Sequence, residues 1–202
     1  MRAMLDAGVE WKSLADFPGI DEVKEDGATF AENARKKATG YAKATGLWTL
    51  ADDSGLVVDA LGGAPGVNSA RFSGERAKGA DRKTIDRRNM EKLLSLLAGV
   101  PIEKRTARFI CCLCLAGPEK VLLETQGIVE GLIAEEPAGT GGFGYDPVFF
   151  VPSLGKTVAQ LGEEEKNAIS HRGNAMRKLR PRLAELLTGS RMVGEAHPTA
   201  DA

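Results

Sequence analysis

The chain has 202 residues, 43% of them hydrophobic and 27% charged, enough for one well-formed core. A formal net charge of -1 and a pI near 6.2 provide no global attraction for nucleic acid or an anionic membrane, so any phosphate affinity has to come from a local cluster of Lys and Arg. No apolar stretch approaches the ~20 residues of a membrane helix, and the first residues lack the apolar segment of a secretory signal; the expected location is the cytoplasm, with neither nucleic acid nor membrane as partner.

Residues 10–14 read as a short strand, broken by Phe17-Pro18-Gly19. Residues 29–45 carry Phe30, Ala34, Ala38, Tyr41 and Ala42 at helical spacing, with Gly46 as the stop. Residues 47–51 are apolar enough for the middle of a sheet, and 56–61 continue the extended chain. Between them Asp52-Asp53-Ser54-Gly55 reads as a break at a strand end. Gly62 to Gly66 form a loop. Residues 84–98 make an amphipathic helix through Ile85, Met90, Leu93, Leu94 and Leu97, closed by Gly99 and Pro101. Strands are expected over 105–116, 120–130 and 147–151, with a glycine-rich loop over 139–144. A last helix over 174–187 contains Pro181, where a kink is expected, and 188–202 are small and polar, as in a disordered tail.

Two phosphate-loop patterns fail on inspection. Gly155-Lys156-Thr157 resembles the end of a P-loop, but the required earlier glycine is Phe150. Gly139-x-Gly141-x-x-Gly144 matches a dinucleotide fingerprint, yet the Pro-containing extended segment after it offers no helix N-terminus for pyrophosphate. Cys111, Cys112 and Cys114 lie in an apolar strand without a second cysteine pair and read as small core residues.

Three stretches carry candidate chemistry. Asp52 and Asp53 form either a polar turn or, at a strand end, a pair of carboxylates for a hard cation such as Mg²⁺. Lys166, His171 and Arg172 gather donors near a helix start that Ser170 can cap, beside the acidic turn Glu163 to Glu165. Phe143 is either a core residue or an aromatic platform for a base.

Taken together and in order, Thr29-Phe-Ala-Glu-Asn-Ala34, Ala51-Asp-Asp-Ser-Gly-Leu56, Leu61-Gly-Gly-Ala-Pro-Gly-Val67 with Ser69-Ala-Arg-Phe72, Gly142-Phe-Gly-Tyr-Asp-Pro147 and Lys166-Asn-Ala-Ile-Ser-His-Arg172 resemble the inosine/xanthosine triphosphate pyrophosphatase family. The resemblance covers residues 5 to 187. It implies an α/β fold, an elongated mixed β-sheet flanked by helices, with two lobes and a central nucleotide cleft in one domain over 1–187, and a homodimer. It also implies Mg²⁺-dependent hydrolysis of deaminated purine nucleoside triphosphates (ITP, dITP, XTP) to the monophosphate and pyrophosphate.

By the same resemblance Asp53 is the general base and a metal ligand, Ser54 and Lys37 touch substrate, and Phe143, Gly144, Tyr145 and Asp146, with Lys166, His171 and Arg172, form the base site. Glu25 and Glu32 are the further candidate metal ligands. Thr29-x-x-Glu32 is also a capping box, so a structural role for Glu32 stands beside the metal one. Arg35 and Lys36 are expected to face solvent. Family members begin with a strand and a Thr/Ser-x-Asn-x-x-Lys loop that grips the triphosphate, a pattern not found in these 202 residues. The expectation that follows is weakened hydrolysis, or in the limit a nucleotide-binding protein with little turnover.

Overall fold

The computed structural model describes residues 9–74 and 81–194. Its first helix, α1 (Phe30–Thr45), starts where Thr29 accepts the Glu32 N–H at 3.2 Å and stops at Gly46, whose φ of 71° is left-handed. Phe30, Ala34, Ala38 and Ala42 repeat on one buried face. Three alanines in that stripe let the helix lie close on the sheet, against Cys112, Cys114 and Ala116.

The sheet has the order β1 (Thr49–Val58), β2 (Thr106–Ala116), β3 (Val121–Ile133), β4 (Phe149–Val151) and β5 (Lys156–Thr157), and all its pairings are antiparallel. The α/β class expected from the sequence holds. The expected break in the first strand does not: Asp52 and Asp53 pair with Leu113 and Cys112 inside one continuous β1. Ladder bonds are made by the backbone, so charged side chains need not end a strand when each finds a partner on its own face. The strand expected over 10–14 is also absent; that stretch runs irregularly into a single 3₁₀ turn at Leu14–Asp16.

Helix α2 (Arg82–Leu96) opens on Asp81, which accepts the Thr84 N–H at 2.9 Å. It is fixed at several points. Buried Asn89 accepts the Ser73 N–H and donates to the Ser69 carbonyl, Lys92 donates to the Phe72 carbonyl, and buried Arg105 donates to the carbonyls of Leu97 and Val100 just past the helix end.

A short helix α3 (Glu163–Ile169), with Glu163 to Glu165 in its first turn, leads to α4 (His171–Gly194). Ser170 separates them in extended conformation and caps α4 through the Gly173 N–H at 3.0 Å, as expected. The helix begins three residues earlier than the apolar spacing indicates and runs past Thr188 to Gly194, so part of the expected tail is helical; 195–202 lie outside the described residues.

Helix α4 packs Ala175, Met176, Leu179 and Leu183 on Cys111, Leu113, Leu115 and Leu123. Asn174, Lys178 and Arg182, four apart, donate to the carbonyls of Ile128, Gln126 and Glu124, two apart along β3. Four helical residues rise about 6 Å and two strand residues about 6.8 Å, so the two repeats stay in step. This row satisfies carbonyls that β4, pairing only at Leu132 and Ile133, leaves free.

Candidate active site

Side chains on a strand alternate, so Asp53 and its neighbours Asp52 and Ser54 face opposite sides of the sheet. On the α1 side, Asp53 accepts from Lys37 Nζ at 3.0 Å and from Asn33 Nδ2 at 3.3 Å. Asn33 and Lys37 are one helical turn apart and share a face. Lys37 also meets Glu25 at 2.9 Å, while Asn33 accepts the Gly27 N–H at 2.8 Å and so ties the Glu25 segment to the helix. A Cβ at position 27 would press on Asn33 Oδ1 at 2.7 Å, which accounts for glycine there.

The Asp53 side chain is 13% exposed. Burial raises its pKa above the usual carboxylate value, Lys37 pulls the other way, and the nearby Glu25 adds to the rise. Burial also acts against the Lys37 ammonium, but its bonds to Glu25 and Asp53 outweigh this and leave its pKa raised. Lys37 stays charged at neutral pH. Arg35 and Lys36 face outward as expected, each in an exposed ion pair, with Glu124 and Asp26 respectively.

Glu25 and Asp53 thus share one cation, Lys37, and are hard oxygen donors of the kind a divalent ion takes. Glu32 is turned elsewhere: its carboxylate accepts the Ala28 N–H at 2.7 Å, so in this geometry it serves the helix start. Asp52 is on the opposite face and does not join Asp53 in a carboxylate pair. Among the described residues no group of three His, Cys, Asp or Glu is placed to hold a metal ion. A two-carboxylate site suits an ion that completes its shell with water and phosphate oxygens.

On the other face, Asp52 accepts from Arg172 Nε at 3.0 Å and from Ser54 Oγ at 3.2 Å. Ser54 and Arg172 border a pocket of about 230 Å³ that is also lined by Phe143, Lys166 and His171. Asp146 is only 4% exposed and is the pocket's internal anchor, accepting from Lys166 Nζ at 2.6 Å and from the Phe143 N–H at 2.8 Å. Phe143 is 55% exposed, with Lys166 Nζ 4.6 Å and the Arg172 guanidinium 5.8 Å from its ring centre. An aromatic ring left open beneath two cations is not a core residue. Tyr145 is buried like Asp146, and its hydroxyl donates to the Ser69 carbonyl at 2.9 Å. It supports the pocket wall from behind.

His171 stacks on Phe109, ring centres 5.0 Å apart and 19° from parallel. Burial, aided by Arg172 and Lys166 and opposed by Asp52, lowers its pKa to about 3. The ring is neutral at physiological pH and can present one N–H donor. With the folded pKa below the ordinary value of 6.5, the unfolded chain binds the extra proton, so this contribution to stability is present above about 6.5 and lost as pH falls toward 3. His171→Gln should therefore lose less melting temperature between pH 7 and pH 5 than the parent chain; equal losses would contradict a buried neutral imidazole.

A second depression of about 730 Å³ runs beside β1 and is lined by Trp11, Tyr41, Trp48, Leu50, Lys37 and Asp52 among others. Its lining includes Asp52, while Ser54, two residues further along β1, lines the first. Sequence reasoning leaves Asn33 without a role, though an Asn beside the alanine stripe was a signal, and it offers Asp52 only as half of a carboxylate pair with Asp53, which the side-to-side alternation of a continuous strand separates.

The model of the Ham1 family matches residues 1–182. The dITP/XTP pyrophosphatase of Geobacillus kaustophilus is 53% identical over 182 residues, 90% of this chain and 86% of that protein. That of Geobacter sulfurreducens is 54% identical over 171 residues, 85% and 82% of the two chains. Among solved structures, a HAM1 protein from Coxiella burnetii is similar with a TM-score of 0.81 and 41% identity, covering 91% of each chain. A nucleoside-triphosphatase, dITP/XTP pyrophosphatase, from Mycobacterium abscessus aligns with a TM-score of 0.73 and 46% identity, covering 88% of this chain and 87% of that one.

Proposed function

The chain belongs to the Ham1 family, and from that membership and the geometry above we infer that it hydrolyses deaminated purine nucleoside triphosphates, ITP, dITP and XTP, to the monophosphate and pyrophosphate. The observation that supports this reading is that consecutive residues of the edge strand β1 serve a carboxylate site at Asp53, Glu25 and Lys37 on one face and, through Ser54, a base-sized pocket at Phe143, Lys166, His171 and Arg172 on the other. Asp53 and Glu25 would hold Mg²⁺, which when bound offsets negative charge on the phosphates. Asp53 orients a water and accepts its proton as the water oxygen bonds to the α-phosphorus. The bond from that phosphorus to the bridging oxygen breaks, and pyrophosphate leaves with the electron pair. Lys37, cationic at this site, neutralises charge on the phosphate chain.

Phe143 stacks on the purine, and Ser54 and the Gly144 backbone border it. Donors on Arg172, Lys166 and neutral His171 suit the 6-keto oxygen of hypoxanthine or xanthine. The 6-amino group of adenine would set donor against donor and leave buried polar groups unsatisfied, at about 1–3 kcal/mol each. The kcat/KM for ITP and XTP should therefore exceed that for ATP by at least ~10²-fold. Comparable values for ATP would sink the base assignment.

No helix among the described residues is long and apolar enough to cross a membrane. A cytoplasmic location and a homodimer, checked by sedimentation, complete the proposal.

A further inference from the structure

We propose that Asp86 is a positioning residue for the purine platform, holding Phe143 in place from helix α2. The inference rests on the base-pocket reading above. The loop carrying Phe143 is fastened by two carboxylates acting on successive amides. Asp146, inside the pocket, accepts the Phe143 N–H at 2.8 Å, and Asp86, across the pocket on α2, accepts the Gly144 N–H at 2.9 Å. Gly144 has a φ of 62°, in the left-handed region that glycine reaches without strain. A carboxylate accepting from a backbone amide gives a stronger bond than a neutral acceptor. The ring between these two anchors is otherwise open to solvent, so little else restrains it.

Asp86 is well placed to act as a fixed point. Its side chain is 13% exposed, and its other oxygen accepts from Arg82 Nε at 3.0 Å. Arg82 is 67% exposed, so the pair adds little stability of its own. The helix beneath is held to the 66–71 turn through Asn89 and at its far end through Arg105. Removing Asp86 should therefore release the loop without unfolding the helix, and the effect should appear in base binding, not in the chemical step.

The test compares Asp86→Ala, Asp86→Asn, Phe143→Ala and the double variant Asp86→Ala/Phe143→Ala with the parent chain, by steady-state ITP hydrolysis and by inhibition with pyrophosphate, which has no base. Asp86→Ala should raise the KM for ITP about tenfold and leave kcat within about twofold, the scale of one charge-assisted hydrogen bond. Asp86→Asn, whose amide oxygen still accepts from Gly144, should recover most of the loss. The double variant should be no worse than Phe143→Ala alone, because Asp86 acts through that ring. Pyrophosphate should inhibit every variant equally. An unchanged KM in Asp86→Ala, a double variant markedly worse than Phe143→Ala, or an Asn variant as poor as Ala would overturn the role of Asp86 while leaving the base pocket standing. An unchanged KM in Phe143→Ala would overturn the pocket itself and the proposal with it.

Discussion

Asp53→Asn is expected to lower turnover of ITP by at least ~10²-fold, the low end for a lost general base, while the melting temperature stays the same or rises. The amide keeps the shape of the carboxylate and its contact with Asn33 or Lys37, but it accepts no proton and binds a divalent ion poorly. The stability half of this expectation follows from the sign of the pKa shift. Burial raises the Asp53 pKa, so the ionised carboxylate is less favoured in the folded chain than in the unfolded one and works against stability at neutral pH. A neutral isostere removes that opposition. The position lies inside a strand, not at its end, yet the ladder there is made by backbone groups that the substitution does not touch. Turnover within a few-fold of the parent chain would take Asp53 out of the mechanism; a large fall in melting temperature would show that its role is mainly structural.

Gly127→Ala should be the most damaging Gly→Ala change among the described residues. Position 127 lies on β3 where α4 crosses, and an added Cβ would meet the carbonyl oxygen of His171 and the amide nitrogen of Ala175 far inside contact distance. Both are backbone atoms of a helix. No rotamer change relieves the clash, so α4 has to lift from the sheet. That movement would strain the packing of Ala175, Met176 and Leu179 and the row of bonds from Asn174, Lys178 and Arg182 to β3. The expected cost is about 3 kcal/mol, the upper range for overpacking, and about 10 °C in melting temperature for a domain of this size. Since His171 and Arg172 form the first turn of α4, the KM for ITP should rise in the protein that still folds. A melting temperature within about 2 °C of the parent would show that the helix sits less tightly than the structure has it.

Much of this architecture was legible because the signals are local. Thr29, Gly46 and Ser170 mark helix ends by their own side chains or backbone freedom, and the alanine stripe of α1 names the face that meets the sheet. The buried cysteines of β2 were legible for the same reason. The reading failed at Asp52 and Asp53 because a strand buried on both faces need not alternate, and two adjacent charges looked like a stop. In fact each charge belongs to a different site, one on either face. Residues such as Asp86, Gly127 and Arg105 carry no local mark at all. Their importance comes from chain segments dozens of residues away that packing brings beside them. The irregular path of residues 10–13 differs from the strand expected over 10–14 because Trp11 and Leu14, spaced by polar residues, fit a short strand as well as they fit the wall of a groove.

Of the candidate site, the ordered motifs brought together Lys37 with Asp53 and Phe143 with Lys166 and Arg172, as expected from them. Glu25 and Glu32 could not be separated by spacing, since both lie near the start of α1. The side-chain geometry separates them: one reaches Lys37 beside Asp53, and the other turns back to the Ala28 amide.

The central claim, attack by water at the α-phosphorus with pyrophosphate as leaving group, is tested most directly by hydrolysing ITP in ¹⁸O-enriched water with Mg²⁺ and weighing the products. The account predicts inosine monophosphate carrying the label and unlabelled pyrophosphate. Label in pyrophosphate, or orthophosphate as the only phosphate released, would contradict it.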